Sequence, residues 1–497
     1  MLYHNGIPVK RRSELLYTNA EPSKRHTVYA EKGGDMSHAA IKRHRDLTEG
    51  PILSKILLFS IPLIATSILQ LLFNTADTIV VGRWGGATPE DCETALAAVG
   101  SCGSLINLFV NFFMGFSIGA GVCVAHDIGA KLYDDVSKTV HTSIVVALAS
   151  STLIMVVGIC FAEPMLILMK TEESVLRQAV PYMCAYFCGM PANMLYNYCA
   201  SILRSNGDTT RPLIFLSVAG VVNVLLNLVM VFCFHAGALG VGIATAASHW
   251  VSCIMIVIHM MRMDGPCKIE LKKIGVDKRK MRSMLFIGLP AGIQSTLFSI
   301  SNVLIQSSLN SLGKIAVAGN TAASNLESYI YATQHSIQQA TMTFVGQHVG
   351  AKKIERMKKC IVWLVAVVLF FGLTLGWLLF AFGAPLLSVY IPNNPAAIEA
   401  GLTRLSILST TYFILGLMEV GGGVLRGMGK SVQPMLVTLI GTCAFRVIWV
   451  CTAFAFFPSI TVLYLSYPIS WFITGVIQWI LALRILRKDP EQIEMEI

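Results

Sequence analysis

The chain has 497 residues, 54% of them hydrophobic and only 13% charged, with a mean hydropathy of +0.64. Soluble domains carry about 25% charged residues, so composition excludes an ordinary soluble enzyme and points to a polytopic membrane protein. The net charge of +10 suggests nucleic acid only until its placement is read.

Lys and Arg gather at 10–12, 42–45, 268–282, 352–359 and 484–488, in alternate connections between apolar runs. The intervening loops 83–93 and 163–177 carry Glu90, Asp91, Glu93, Glu172 and Glu173. This is a positive-inside bias, so both termini and the central loop are expected to be cytoplasmic. Residues 1–45 are polar, basic and without an apolar core, which reads as a disordered cytoplasmic tail and not a signal peptide.

Twelve helix candidates follow, near 52–82, 94–126, 136–162, 175–204, 212–235, 239–263, 283–312, 315–346, 355–382, 396–426, 432–456 and 462–487. The expected fold is an all-α polytopic membrane protein of twelve transmembrane helices in two six-helix lobes. The amino-terminal lobe covers 46–263, a basic connector 264–282, the carboxy-terminal lobe 283–488 and a short tail 489–497.

The first helix carries an uncompensated acid, Asp77. At helical spacing Ser67, Gln70, Asn74 and Asp77 share one face, and Ile64, Ile68, Leu71 and Leu72 the opposite one. An Asp at the bilayer centre costs roughly 2.5–3.5 kcal/mol on insertion scales, so it is kept for binding or proton movement more often than for structure.

The two halves repeat. Leu203-Arg204-x-x-Gly207 ahead of Pro212 matches Leu425-Arg426-x-x-Gly429 ahead of Pro434, and Gly129-Ala130-Lys131 matches Gly350-Ala351-Lys352. Ala97–Gly100 answers Ala316–Gly319, and Pro62 answers Pro290. Six helices per repeat make the repeats parallel, related by an axis along the membrane normal, with a cavity between lobes near the midplane. That is a transporter's plan.

Four ionisable residues lie well inside predicted helices: Asp77, Glu327, Glu419 and Arg446. Asn223 and Asn227 share a face of the fifth helix, and Asn193 and Asn197 a face of the fourth. Carboxylate and amide oxygens suit a small hard cation, and a buried acid beside amides suits proton carriage equally. Interhelical hydrogen bonding is the plainer reading of the asparagines.

In the second lobe, Asn320, Ser324, Glu327, Tyr331, Gln334 and Gln338 form a polar stripe, and Tyr412 and Glu419 share a face of the tenth helix. Acids beside aromatics would meet a cationic, apolar substrate. The alternative is that Glu327 or Glu419 pairs with Arg446 as a buried structural ion pair. Asn302, Gln306, Asn193, Asn197 and Tyr412 complete the substrate-binding candidates. Arg204 and Arg426 read as helix ends on the cytoplasmic side.

The 13 cysteines are scattered without metal-ligand spacing, and no GxxxxGK[ST], HExxH or GxSxG occurs. No cofactor, enzymatic role or ATP-driven pumping is expected, and no structural metal. Coupling to an ion gradient remains.

Asn74-Thr75-Ala76-Asp77-Thr78, with Leu47-Thr48-Glu49-Gly50-Pro51 and the paired Leu-Arg-x-x-Gly…Pro motifs, resembles the multidrug and toxic compound extrusion (MATE) family. Gly288-Leu289-Pro290-Ala291-Gly292 resembles its bacterial, DinF-like branch, and the resemblance spans about 46–488. It implies a V-shaped monomer in the bacterial plasma membrane that exports small organic cations in exchange for H⁺ or Na⁺. Asp77 matches the family's first-helix acid, Pro62 its bending proline, Asn223 and Asn227 its fifth-helix cation pair, and Thr245 a sixth-helix hydroxyl. Many relatives have Asp where Asn227 stands, which favours a proton on Asp77 and leaves Na⁺ at Asp77 and Asn223 as the alternative. A flippase of lipid-linked saccharides, which would favour basic residues in the cavity, is the rival reading.

Overall fold

The computed structural model describes residues 46–86, 88–392 and 394–488. The predicted tails at 1–45 and 489–497 lie outside the described residues. The described chain is helical almost throughout: α1 (Ile52–Trp84), α2 (Pro89–Gly129), α3 (Tyr133–Cys160), α4 (Ala162–Leu168), α5 (Glu173–Cys188), α6 (Met190–Ser205), α7 (Thr210–Phe232) and α8 (Gly237–Arg262) precede the connector. After it come α9 (Lys278–Asn310), α10 (Lys314–Gly350), α11 (Ile354–Ala381), α12 (Gly383–Tyr390), α13 (Pro395–Gly427), α14 (Val432–Thr438), α15 (Phe445–Trp449) and α16 (Ile460–Leu486).

Ten helices among the described residues are long and apolar enough to cross a membrane, counting Val432–Phe454 as one. The other two predicted spans are α5–α6, broken at Gly189, and α10, whose stripe of Asn, Ser, Glu and Gln lowers its hydropathy. Span eleven is helical throughout but widens to π-helix at Leu439–Ala444 and Val450–Phe454, on either side of Arg446. Such bulges aim side chains that a regular α-helix could not. Two short helices were not foreseen, α4 and α12, and they occupy equivalent places in the two halves.

The repeated motifs are repeated turns. Gly207 and Gly429 both have left-handed φ, 82° and 79°. Their N–H groups donate to the Arg204 and Arg426 carbonyls, and the next N–H reaches back to Leu203 and Leu425. These bonds close the carbonyl ends of α6 and α13, as a glycine cap does. The start of α2 is fixed by a capping box between Thr88 and Asp91 with Pro89 in the first turn.

Helix α1 belongs to both lobes. Ile56, Phe59 and Leu63 are buried with Ile337, Phe344, Leu364 and Val424 of the second half. Ser67 Oγ lies 2.9 Å from Ser336 Oγ on α10. Beyond that point α1 packs on its own half: Phe73 fills the space over Gly220 of α7, and Val80 and Val81 join a core with Val231 and Val241. Pro62 sits just before the changeover, where its missing N–H removes one helical bond.

At the basic end of the spans the halves are joined. Gly129 lies against Gln347 and Gly350 against His126 with no room for a Cβ. His126 Nε2 is 2.6 Å from the Gly427 carbonyl, Gln347 Nε2 donates to the Ser205 carbonyl at 2.7 Å, and Lys280 Nζ pairs with Asp127 at 2.8 Å.

Candidate functional site

Two polar regions stand out. In the first half, Asp77 on α1 meets α7 and α8. Asn227 Nδ2 donates to Asp77 Oδ1 at 2.5 Å and Thr245 Oγ1 to Oδ2 at 3.5 Å. Asn223 links the two, donating to Thr245 Oγ1 at 3.4 Å and accepting from Asn227 at 3.3 Å. Asn227 is fully buried, and its amide oxygen has no hydrogen-bond partner. No Lys, Arg or His forms an ion pair with Asp77 among the described residues.

The spacing of Asn223 and Asn227 puts both amides on one face of α7, and Gly220 one turn earlier lets that helix close on α1. Asn74, expected with this group, is exposed one turn away and stands apart from it. Asn193 and Asn197 form a separate set in the same half. Asn197 Nδ2 donates to Asn193 Oδ1 at 2.6 Å, and Asn193 Nδ2 lies 3.1 Å from His249 Nε2. His249 was not singled out from sequence.

The second region is a cavity of about 590 Å³ lined mainly by the second half, with α2 and α6 closing one side. Glu327, Tyr412, Asn302 and Glu419 line it as expected, together with Arg204, Arg404, Arg426, His335 and Trp471. Gln306 does not; it is exposed and bonds Asn310 and Asn320.

The expected ion pair with Arg446 is corrected. Glu327 pairs instead with Arg404 of α13, whose Nη2 and Nε lie 2.7 and 3.1 Å from one carboxylate oxygen. Tyr412 donates to the same oxygen at 3.4 Å. Arg404 Nη1 also donates to Asn320 Oδ1 at 2.5 Å, and its guanidinium lies over the Tyr464 and Tyr467 rings. Arg404 precedes Tyr412 by two helical turns on the same face, a spacing that could have revealed it. Arg404 was not singled out from sequence.

Arg446 is completely buried and pairs with no acid among the described residues. Its Nη1 donates to Asn302 Oδ1 at 3.0 Å and Nε to Ser470 Oγ at 3.2 Å. The guanidinium stacks 4.2 Å above the Tyr467 ring, and Nη2 has no hydrogen-bond partner. Glu419 accepts a hydrogen bond from Gln338.

Arg204 and Arg426 sit in the last turns of α6 and α13 as expected, and both also line the cavity. Arg426 is 5% exposed, donates to Gln294 Oε1 at 2.7 Å, and keeps an unpartnered Nε. The repeat was the signal for them, since a pseudo-symmetry axis through the cavity sends one arginine onto the other. Among the described residues, no group of three or more His, Cys, Asp or Glu could hold a metal ion.

A family model described as MatE matches residues 62–229 and 290–452. The chain is 25% identical over 440 residues to the probable multidrug resistance protein YoeA of Bacillus subtilis, covering 83% of this chain and 93% of that one. It is 24% identical over 414 residues to the probable multidrug resistance protein NorM of Thermotoga maritima, covering 82% and 86%. A crystal structure of MATE in the bent conformation superposes with a TM-score of 0.83 at 17% identity, over 91% of this chain and 99% of that one.

Proposed function

The chain belongs to the MatE family, and we propose that it works as an antiporter in which Asp77 takes up H⁺ or Na⁺ while a small organic compound leaves. Family membership makes it a membrane transporter of the multidrug efflux class, not an enzyme.

The observation that carries the coupling proposal is the Asp77 carboxylate, held by a neutral amide and a neutral hydroxyl and by no base. A fixed cation would keep such an acid permanently paired, and a proton or Na⁺ would have to displace it. Without one, the carboxylate, the free Asn227 oxygen and the Thr245 hydroxyl are hard oxygen donors for a small cation. A proton on Asp77 meets the same need with fewer ligands.

Helix α1 gives the coupling a route. Its outer part bears Asp77 against the first half, and its inner part is packed into the second. A change of charge at Asp77 therefore acts on a helix gripped by both lobes, with Pro62 between the grips. One charge moving through 100 mV supplies about 2.3 kcal/mol, enough for roughly a fifty-fold concentration ratio. The basic connections favour a reading in which the joined end of the lobes faces the cytoplasm across a bacterial plasma membrane.

Cationic cargo was expected from Glu327 and Glu419 beside aromatics, with pairing to Arg446 as the alternative, and from the family resemblance. Arg404 occupies one of the two acids. The flippase alternative gains from the three arginines lining the cavity, which an anionic lipid head group would use.

The test is dye efflux from proteoliposomes holding only this protein, loaded with ethidium and fluorescein together, under an imposed H⁺ or Na⁺ gradient. Efflux of at least one dye is expected under one of the gradients, falling in Asp77→Asn to the rate of protein-free vesicles. Undiminished exchange by Asp77→Asn would remove Asp77 from the mechanism.

A further inference from the structure

We infer that the central cavity binds an organic anion carrying an aromatic ring, rather than a cation. The inference takes the cavity as the exporter's cargo site and adds the charge of the cargo.

The charges facing the cavity are Arg204, Arg404, Arg426, Glu327 and Glu419. His335 also lines it, within electrostatic reach of both Arg204 and Arg426. A fourth guanidinium, Arg446, stands directly behind the wall: it bonds Asn302 and lies over the Phe298 and Tyr467 rings, all three of which face the cavity. Four guanidinium groups thus meet two carboxylates.

Each carboxylate is engaged through one oxygen, and Glu327 Oε1 has no hydrogen-bond partner. Glu327 is tied to Arg404, and Glu419 sits within electrostatic reach of Arg426 while accepting from Gln338. A cation entering would compete with Arg404 for Glu327 and would add to an existing excess of positive charge. Arg204 and Arg446 pair with no carboxylate among the described residues, and buried guanidiniums are costly unless paired.

Unused donors point the same way. Arg446 Nη2 and Arg426 Nε are buried with no hydrogen-bond partner, on residues that are 0% and 5% exposed. Unsatisfied buried donors of this kind are rare in folded proteins and call for an acceptor. A carboxylate or phosphate supplies several acceptor oxygens, and guanidinium groups favour both.

The ring requirement comes from the remaining wall. Tyr331, Tyr412, Tyr467, Trp471 and Phe298 line the space, with His335 stacked on Tyr331 at 12° between planes. About 590 Å³ is the size of a drug-like molecule.

The test uses the full chain in nanodiscs without any ion gradient, so that it reads binding and not coupling. Fluorescein and rhodamine 123 share a xanthene frame and differ in sign of charge. Farnesyl pyrophosphate presents the same anionic chemistry on a lipid. Fluorescein should bind about tenfold or more tightly than rhodamine 123 and more tightly than farnesyl pyrophosphate, whose stronger binding would overturn the ring requirement and point to a lipid head group. Arg204→Gln should weaken the preferred anion about tenfold, the loss of one charge-assisted hydrogen bond, and leave rhodamine 123 unweakened.

Arg204→Lys, which keeps the charge, should recover most of the anion binding, whereas a folding defect would depress every ligand alike. Because no ion gradient is imposed, failure of the coupling proposal leaves this result standing. Rhodamine 123 binding as tightly as fluorescein, or anion binding indifferent to Arg204→Gln and Arg426→Gln, would overturn the inference.

Discussion

The two halves of this repeat protein treat acids inside the spans in opposite ways. Asp77 in the first half is held by an amide and a hydroxyl; Glu327 in the second is held by a guanidinium with two nitrogens on one oxygen. Both lie among helices of the same plan. An acid locked to a base has its charge fixed by structure, whereas an acid held by neutral donors can change charge without leaving a bare cation behind. On the proposed mechanism the repeat supplies one scaffold, and the counter-ion decides which acid couples and which braces.

Stability measurements break or sharpen this contrast most directly. Arg404→Gln leaves Glu327 buried without its base and should destabilise the protein by about 3 kcal/mol or more, the cost of breaking a buried pair. Thermal unfolding in detergent reads it as the largest fall in melting temperature of any variant considered. Replacing both partners, Glu327→Gln with Arg404→Gln, should recover much of the loss, because two neutral amides can hydrogen-bond each other. Asp77→Asn should shift the melting temperature little, since its amide oxygen can accept from Asn227 and its NH2 can donate to Thr245 Oγ1. If Asp77→Asn proved as destabilising as Arg404→Gln, the two acids would share a structural role and the contrast would fail.

A gain of charge probes the same difference from the other side. Asn227→Asp adds a second carboxylate against Asp77, and two like charges at hydrogen-bond distance favour sharing a cation. The variant should require Na⁺ for exchange or hold it more tightly, by about tenfold for one added hard ligand. Sodium titration followed by tryptophan fluorescence measures it, and an unchanged response would mean that this group of oxygens does not face the coupling ion.

Much of the first region was readable from residues alone. Asp77 announced itself as a charge in an apolar run, and Asn223 and Asn227 by their four-residue spacing. Asn74 shares the predicted face, yet it is exposed while its neighbour Phe73 packs on Gly220 of α7, a matter of tertiary packing that periodicity does not report. The cavity was harder. Glu327, Tyr412 and Glu419 were legible, but Arg204 and Arg426 sit in last helical turns, where arginine is ordinary, and Arg404 lies inside α13, where only its packing against Glu327 brings it to the cavity. The partner of Arg446 could not be read either, because the π-bulges flanking it change its direction relative to a regular helix.

The smallest effect concerns a third kind of acid, outside the spans, which sets the baseline for an ordinary hydrogen-bonded carboxylate. Asp46 Oδ1 accepts from Thr48 N and Oγ1, each at 2.8 Å, just before α1 begins. Partial burial works against its charge. The Thr48 hydrogen bonds, with Lys55 and Lys353 nearby, outweigh it and hold the carboxyl below the ordinary carboxylate range. A depressed folded pKa stabilises the protein above the unfolded value, about 3.9 for Asp, and that contribution is lost as pH falls through the folded one. Asp46→Asn should therefore cost only about 0.5 kcal/mol at neutral pH, because the site is partly open to solvent, and the gap should close only below about pH 4. Melting curves from pH 7 downward check it. A gap already closed by pH 6 would put the titrating group elsewhere, and a cost approaching that of Arg404→Gln would mean that the segment ahead of α1 braces the second lobe as firmly as the buried pair does.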